Sequence, residues 1–157
     1  DLIPYHTLVD DIQGIMTAHV LFDQCDSDIP TFSHYWLQNV LRQELGFEGV
    51  VFSDDLTMQG AIDATSDSGR PSIVENAQRA INAGCDMVLV CNNPQSLDQL
   101  LAELEWDMSA VSLARLAHMH GKWPHPITMT NLRENADYVK AVKEISGLGI
   151  CNRELSL

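Results

Sequence analysis

The chain has 157 residues, 45% of them hydrophobic and 20% charged, a balance that belongs to a globular domain with a real core and excludes a disordered segment. Nine Lys plus Arg stand against 22 Asp plus Glu, a formal net charge of -13. Such a surface repels phosphate backbones and anionic headgroups, so nucleic acid and membrane are not expected as partners.

Cys25, Cys85, Cys91 and Cys151 form neither a C-x-x-C pair nor a regular framework, and they read as reduced core thiols in a reducing, cytoplasmic compartment. The first residues, Asp1 to His6, carry no basic or apolar leader. The chain also starts without Met and in mid-pattern, as a piece of a longer polypeptide would.

In chain order, residues 2–11 have the apolar spacing of a helix end. Gly14 to Val20 is a short apolar run that reads as a buried strand ending near His19, followed by a polar loop from Phe22 to Phe32. Ser33 is a candidate N-cap for a helix from His34 to Leu45, with Trp36, Leu37, Val40, Leu41 and Leu45 on one face and Gly46 as its stop. A second strand, Gly49 to Ser53, ends at two adjacent carboxylates, Asp54 and Asp55, and runs into a loop rich in Ser, Asp and Gly that reaches Pro71. A helix from Ser72 to Ala83 stopped by Gly84, a strand from Asp86 to Cys91, and helices over 96–104 and 109–118 follow. The last helix is expected to start at Asn131, with Glu134 completing a capping box, and to run to Ser146 before Gly147.

Apolar strands separated by amphipathic helices are what a parallel sheet with covered faces requires, so the fold class is α/β. Only three strands are evident. A three-stranded parallel sheet leaves two unpaired edges that domains normally close or cover.

The Asp54-Asp55 pair sits where parallel α/β folds place their chemistry, at the carboxyl end of a strand. Alternation sends Asp54 to the side of Val50 and Phe52, and Asp55 to the side of Val51 and Ser53. A carboxylate there serves as nucleophile, metal ligand or phospho-acceptor, or simply starts a turn, and parity does not choose. His19 ends a neighbouring strand and is either a contact at the same rim or a structural imidazole. Asn92 and Asn93 are hydroxyl binders or turn formers. His118, His120 and His125, with Trp123 between, lie at spacings that do not share a helix face and read as a surface turn, not a metal site.

Three ordered blocks carry a family resemblance. Ile15-Met16-Thr17-Ala18-His19-Val20, then residues 35–58 through Gly46-Phe47-Glu48-Gly49-Val50-Val51-Phe52-Ser53-Asp54-Asp55-Leu56-Thr57-Met58, then Ala83-Gly84-Cys85-Asp86-Met87-Val88-Leu89-Val90-Cys91-Asn92, closely resemble the bacterial β-N-acetylhexosaminidases of glycoside hydrolase family 3, cytoplasmic enzymes of peptidoglycan recycling. The match is strong over residues 12–93 and weaker to about 146.

The resemblance implies that residues 1–157 are the C-terminal part of one catalytic (β/α)8 TIM barrel, its last three strand-helix units without the first five, with residues 131–157 as a C-terminal helix and tail. It implies that Asp54 is the nucleophile of a retaining exo-β-N-acetylglucosaminidase acting on N-acetylglucosamine-containing muropeptides, with Asp55 as polar support and no cofactor or metal. His19 and Met58 are expected around the sugar by their strand-end position. The family's K-H-F-P-G-H-G motif and its His-Asp acid/base loop do not occur here. The chain alone is therefore expected to be inactive, its partner being the missing N-terminal half of the barrel, since a full barrel takes about 250 residues. Two other readings stand beside this one. One is a receiver-like module phosphorylated on Asp54, which would need a Lys where the third strand ends in Asn92-Asn93; the other is a non-catalytic fragment.

Overall fold

The computed structural model of the chain describes residues 2–63, 71–121 and 128–147. It divides into two compact units, Asp1–His120 and Gly121–Leu157.

The first unit is built on a three-stranded parallel sheet in the order β1-β2-β3, with β1 at Gly14–Met16, β2 at Val50–Asp55 and β3 at Met87–Leu89. Gly14, Ile15 and Met16 pair with Val50, Val51 and Phe52. Alternation along these strands sends Ile15, Val51 and Val88 into the main core and Met16, Phe52 and Met87 to the other side of the sheet.

The strands end differently from the sequence expectation. β1 stops at Met16 instead of continuing to Val20: Thr17 N–H still reaches Phe52 O at 2.9 Å, but beyond it the Ala18 carbonyl lies 3.3 Å from the Thr31 hydroxyl and not in the ladder. β2 runs on through Asp54 and Asp55. β3 stops at Leu89, because Cys91 N–H turns to the Asp55 carboxylate.

Between β2 and β3 the register slips. Phe52 faces Met87 while Asp55 faces Leu89, so β2 carries a bulge over Ser53 and Asp54. Ser53 Oγ fills the gap in the ladder by accepting from Leu89 N–H at 2.9 Å. Bulges re-aim side chains at strand ends, and this one lies beneath the two carboxylates.

Before the sheet lies α1 (Ile3–Leu8). A 3-10 turn, Pro30–Phe32, leads into a helix over Tyr35–Glu44 whose hydrogen bonding is π-type, closed by Leu45 N–H to Val40 O. The apolar face is the one expected: Leu37, Val40, Leu41 and Leu45 are buried and Trp36 packs against them. Ser33 does accept from Trp36 N–H, at 3.0 Å, and Gly46 ends the helix with φ at +73°.

After β2 comes a short helix, α2 (Gln59–Asp63), that the sequence reading had placed inside a loop; the rest of that loop, 64–70, lies outside the described residues. Helix α3 (Ile73–Ala83) has the strongest local signature. Ser72 Oγ accepts from Glu75 N–H, Glu75 accepts from Ser72 N–H, and Gly84 closes the helix at φ +128°. Helix α4 (Pro94–Glu103) starts at an Asn93 cap, earlier than Ser96, since Pro suits a first helical turn. Helix α5 (Ala110–His118) is capped by Ser109 as expected.

Phe47, Val50, Val51 and Leu56 are at most 1% exposed, each burial stabilising by about 1.5–3 kcal/mol. At the amino end of the strands, Asp86, 2% exposed, accepts from Arg42 Nη2 (2.9 Å), Val51 N–H (2.9 Å), Ser112 Oγ (2.6 Å) and Arg115 Nη1 (3.4 Å). Arg42 also donates to the carbonyls of Phe47 and Gly49. Burial and the nearby Arg115 pull its guanidinium below the usual value, Asp86 and Glu48 opposing.

In the second unit, the expected single helix is two. Thr128, not Asn131, is the N-cap of α6 (Met129–Glu134), and Asn131 is the third helical residue that answers it. Asn135 then breaks the helix and caps α7 (Ala136–Gly147) by accepting from Tyr138 N–H at 2.9 Å. Both Asn side chains serve better as caps than as interior helix residues.

Two of the four thiols are not core groups. Cys25 and Cys91 are exposed, because the loops that carry them run over the surface, and only Cys85 is buried among those described; Cys151 lies outside the described residues.

Candidate active site

Parallel pairing of β1 and β2 sets Asp54, Asp55 and His19 at one rim, the carboxyl end of the sheet. The two carboxylates there have different surroundings. Asp55 is heavily engaged: Thr57 N–H donates to it at 3.0 Å, the Thr57 hydroxyl at 2.8 Å and Cys91 N–H at 3.1 Å. Burial pushes its pKa up, but these bonds and the nearby His19 outweigh it and hold the carboxyl below the ordinary range. Asp54 receives one bond among the described residues, from Asp55 N–H to Oδ1 at 2.8 Å. It is half-buried.

His19 lies against this strand end. Nε2 is 3.1 Å from the Asp55 carbonyl oxygen, and Nδ1 is 2.9 Å from Thr31 Oγ1, which is itself 2.8 Å from Thr17 Oγ1. Met58 follows the rim: its N–H donates to Asp55 O at 3.0 Å and its side chain is 45% exposed. Asn92 adopts a left-handed backbone, φ 55°, and Asn93 is spent as the α4 cap. A hollow of about 240 Å³ beside Thr57 is lined by Asn76, Asn93, Ser96 and Gln99. A larger one, about 460 Å³, opens at the opposite end of the strands around Gln38, Asp86 and Arg115, away from Asp54.

Thr17, Thr31 and Thr57 are the polar residues here that sequence reasoning missed. Thr57 stands two residues from Asp55, a spacing at which an Asx-type turn is readable; Thr31 reaches His19 from a 3-10 turn with no local signal to announce it. No group of three or more His, Cys, Asp or Glu able to hold a metal occurs among the described residues. His118 and His120 end α5 and the turn after it, both exposed; His125 lies outside the described residues.

The sequence profile described as glycosyl hydrolase family 3 N terminal domain matches residues 1–119. Proteins named beta-hexosaminidase from Nitrosospira multiformis and Thiobacillus denitrificans are 49% and 47% identical over alignments spanning all of this chain. The chain spans 43% and 42% of their lengths, well under half. Among solved structures, native NagZ from Neisseria gonorrhoeae superposes with a TM-score of 0.74 at 32% identity, covering 94% of this chain and 40% of that one. The same protein in complex with N-trifluoroacetyl-D-glucosamine superposes at 0.72 and 30% identity over the same shares. The rim that gathers Asp54, Asp55 and His19 lies within the matched residues, and the chain belongs to the glycosyl hydrolase family 3 N-terminal domain family.

Proposed function

We propose that this chain carries the nucleophile of a retaining exo-β-N-acetylglucosaminidase, on the last three strand-helix units of a (β/α)8 barrel. The observation that supports this most directly is the unequal engagement of the two carboxylates: Asp55 is consumed by Thr57 and Cys91, whereas Asp54, among the described residues, accepts one hydrogen bond, at Oδ1. Asp54 would attack the anomeric carbon of a terminal β-linked N-acetylglucosamine, expel the aglycone and hold the sugar as an ester until water attacks the same carbon. Asp55 would keep the strand end rigid beneath it.

The sugar class draws support from the N-trifluoroacetyl-D-glucosamine complex of the Neisseria protein and from the names of the relatives. Muropeptides would be the substrates and the cytoplasm the compartment; among the described residues no helix is long and apolar enough to cross a membrane. His19 and Met58 would border the sugar. Among the described residues no second carboxyl or imidazole at the rim offers itself as proton donor, so hydrolysis would require the part of the barrel present in the longer relatives.

Hydrolysis of an aryl N-acetylglucosaminide tests both halves of the reading. The isolated chain should show negligible turnover. Joined to the remaining barrel it should hydrolyse the substrate, and Asp54→Asn should then lower kcat by about a thousandfold or more. Full activity of the isolated chain would refute the requirement for the rest of the barrel, and an active Asp54→Asn protein would refute the nucleophile.

A further inference from the structure

The two ring nitrogens of His19 face partners of different kinds, and that difference decides its tautomer. The atom opposite Nε2, at 3.1 Å, is the Asp55 carbonyl oxygen, which only accepts, so Nε2 must carry hydrogen. In a neutral ring Nδ1 is then an acceptor, and the Thr31 hydroxyl, 2.9 Å away, must donate to it. With its hydrogen used, Thr31 Oγ1 can only accept from Thr17 Oγ1 at 2.8 Å. The relay Thr17 to Thr31 to His19 to Asp55 has one direction, and each hydrogen in it is used once.

Its inner members are shielded from water: Thr31 is fully buried and Thr17 is 7% exposed. The histidine's backbone is closely packed. A Cβ on Gly60 would sit 2.9 Å from His19 Cβ and 2.7 Å from its carbonyl oxygen, so that glycine lets α2 close over the histidine backbone.

We propose that His19 is a positioning residue, an imidazole that donates from Nε2 to the Asp55 carbonyl and so pins the residue whose own N–H orients the Asp54 carboxylate, and that it neither transfers a proton nor grips the sugar. Its catalytic consequence rests on the reading of Asp54 as nucleophile; the tautomer and the pinning do not.

The test begins with ¹⁵N-labelled histidine in the 157-residue chain, at a pH where the imidazoles are neutral, with His19 assigned by the signals lost in His19→Gln. His19 should show a protonated Nε2 and a bare Nδ1, where exposed His120 averages both tautomers. A protonated Nδ1, or averaging at His19, overturns the proposal. Amide exchange at Leu56 and Met58 is the second readout. It should quicken about tenfold in His19→Leu, the loss of one hydrogen bond, and return to within about twofold in His19→Gln, whose amide reaches the same carbonyl. Equal acceleration in both variants would mean that the ring acts through packing alone. Where the chain is joined to the rest of its barrel, His19→Leu should lower kcat by about a hundredfold, as an ångström of misplacement does, with KM unchanged. A rise in KM at constant kcat would make His19 a sugar contact and sink the idea. If no turnover can be restored at all, the glycosidase reading fails while the spectra and exchange rates still decide the role of His19.

Discussion

Asp55 is the carboxylate at the rim whose charge the fold depends on. Its pKa is held down despite burial, so its ionised form stabilises the native state above the ordinary carboxylate range, and that contribution disappears as pH falls through the lowered value. Asp55→Asn should therefore be less stable than the wild type at neutral pH, and the gap should close in acid; urea melts at several pH values read both, and a constant gap would show that the charge plays no part. Cys85 makes the opposite point. Burial, with Asp86 adding to it against Arg42, pushes its thiol up to about 12, whereas Cys25 and Cys91 are exposed. The thiolate is the reactive form, so brief iodoacetamide treatment of the native chain followed by peptide mapping should label Cys25 and Cys91 and spare Cys85. Neither exposure pattern nor engagement was legible in the sequence, because Cys85 and Cys91 flank the same strand and Asp54 and Asp55 are adjacent; what separates the members of each pair is contact with segments far along the chain.

At the scale of elements, the joints matter more than the elements. Asp86 ties the start of β3 to the π-helix through Arg42, to β2 through Val51 N–H, and to α5 through Ser112 and Arg115. Asp86→Ala would strand the nearly buried Arg42 guanidinium without its counter-ion, and the expected loss is about 3–5 kcal/mol, measured as a lowered urea midpoint. A loss below about 0.5 kcal/mol would mean that the Phe47 and Gly49 carbonyls suffice for Arg42. The helices show what local sequence encodes well. Ser72 with Glu75, Ser109 and Gly84 mark their boundaries within a residue or two, since caps are satisfied within one turn. The π-type bonding of Tyr35–Glu44 and the bulge in β2 escaped, because a helical apolar face does not specify which carbonyl each N–H selects and a bulge is defined only by the partner strand.

At the scale of the molecule, three parallel strands carry their main core on the side of Ile15, Val51 and Val88, and Met16 on the other side is 55% exposed. Met16→Ser should thus change the stability of the isolated chain by less than about 0.5 kcal/mol, as surface changes do. Joined to the remaining barrel, the same substitution should cost more than about 1 kcal/mol if further strands cover that face, and equal costs in the two contexts would argue against that packing. What the sequence by itself determined is the α/β alternation, the order and type of most elements, the acidic strand end and the family to which three blocks of residues point. These are properties of periodicity and of contacts closed within a few residues. Only the tertiary structure decided that Asp55 is held by several donors and Asp54 by one among the described residues, that His19 faces a carbonyl and a hydroxyl, and that Asp86 is a structural hub. Those facts depend on hydrogen bonds between residues such as His19 and Asp55, or Asp86 and Val51, that lie 36 and 35 positions apart, and no local pattern carries the direction of a side chain across such a distance.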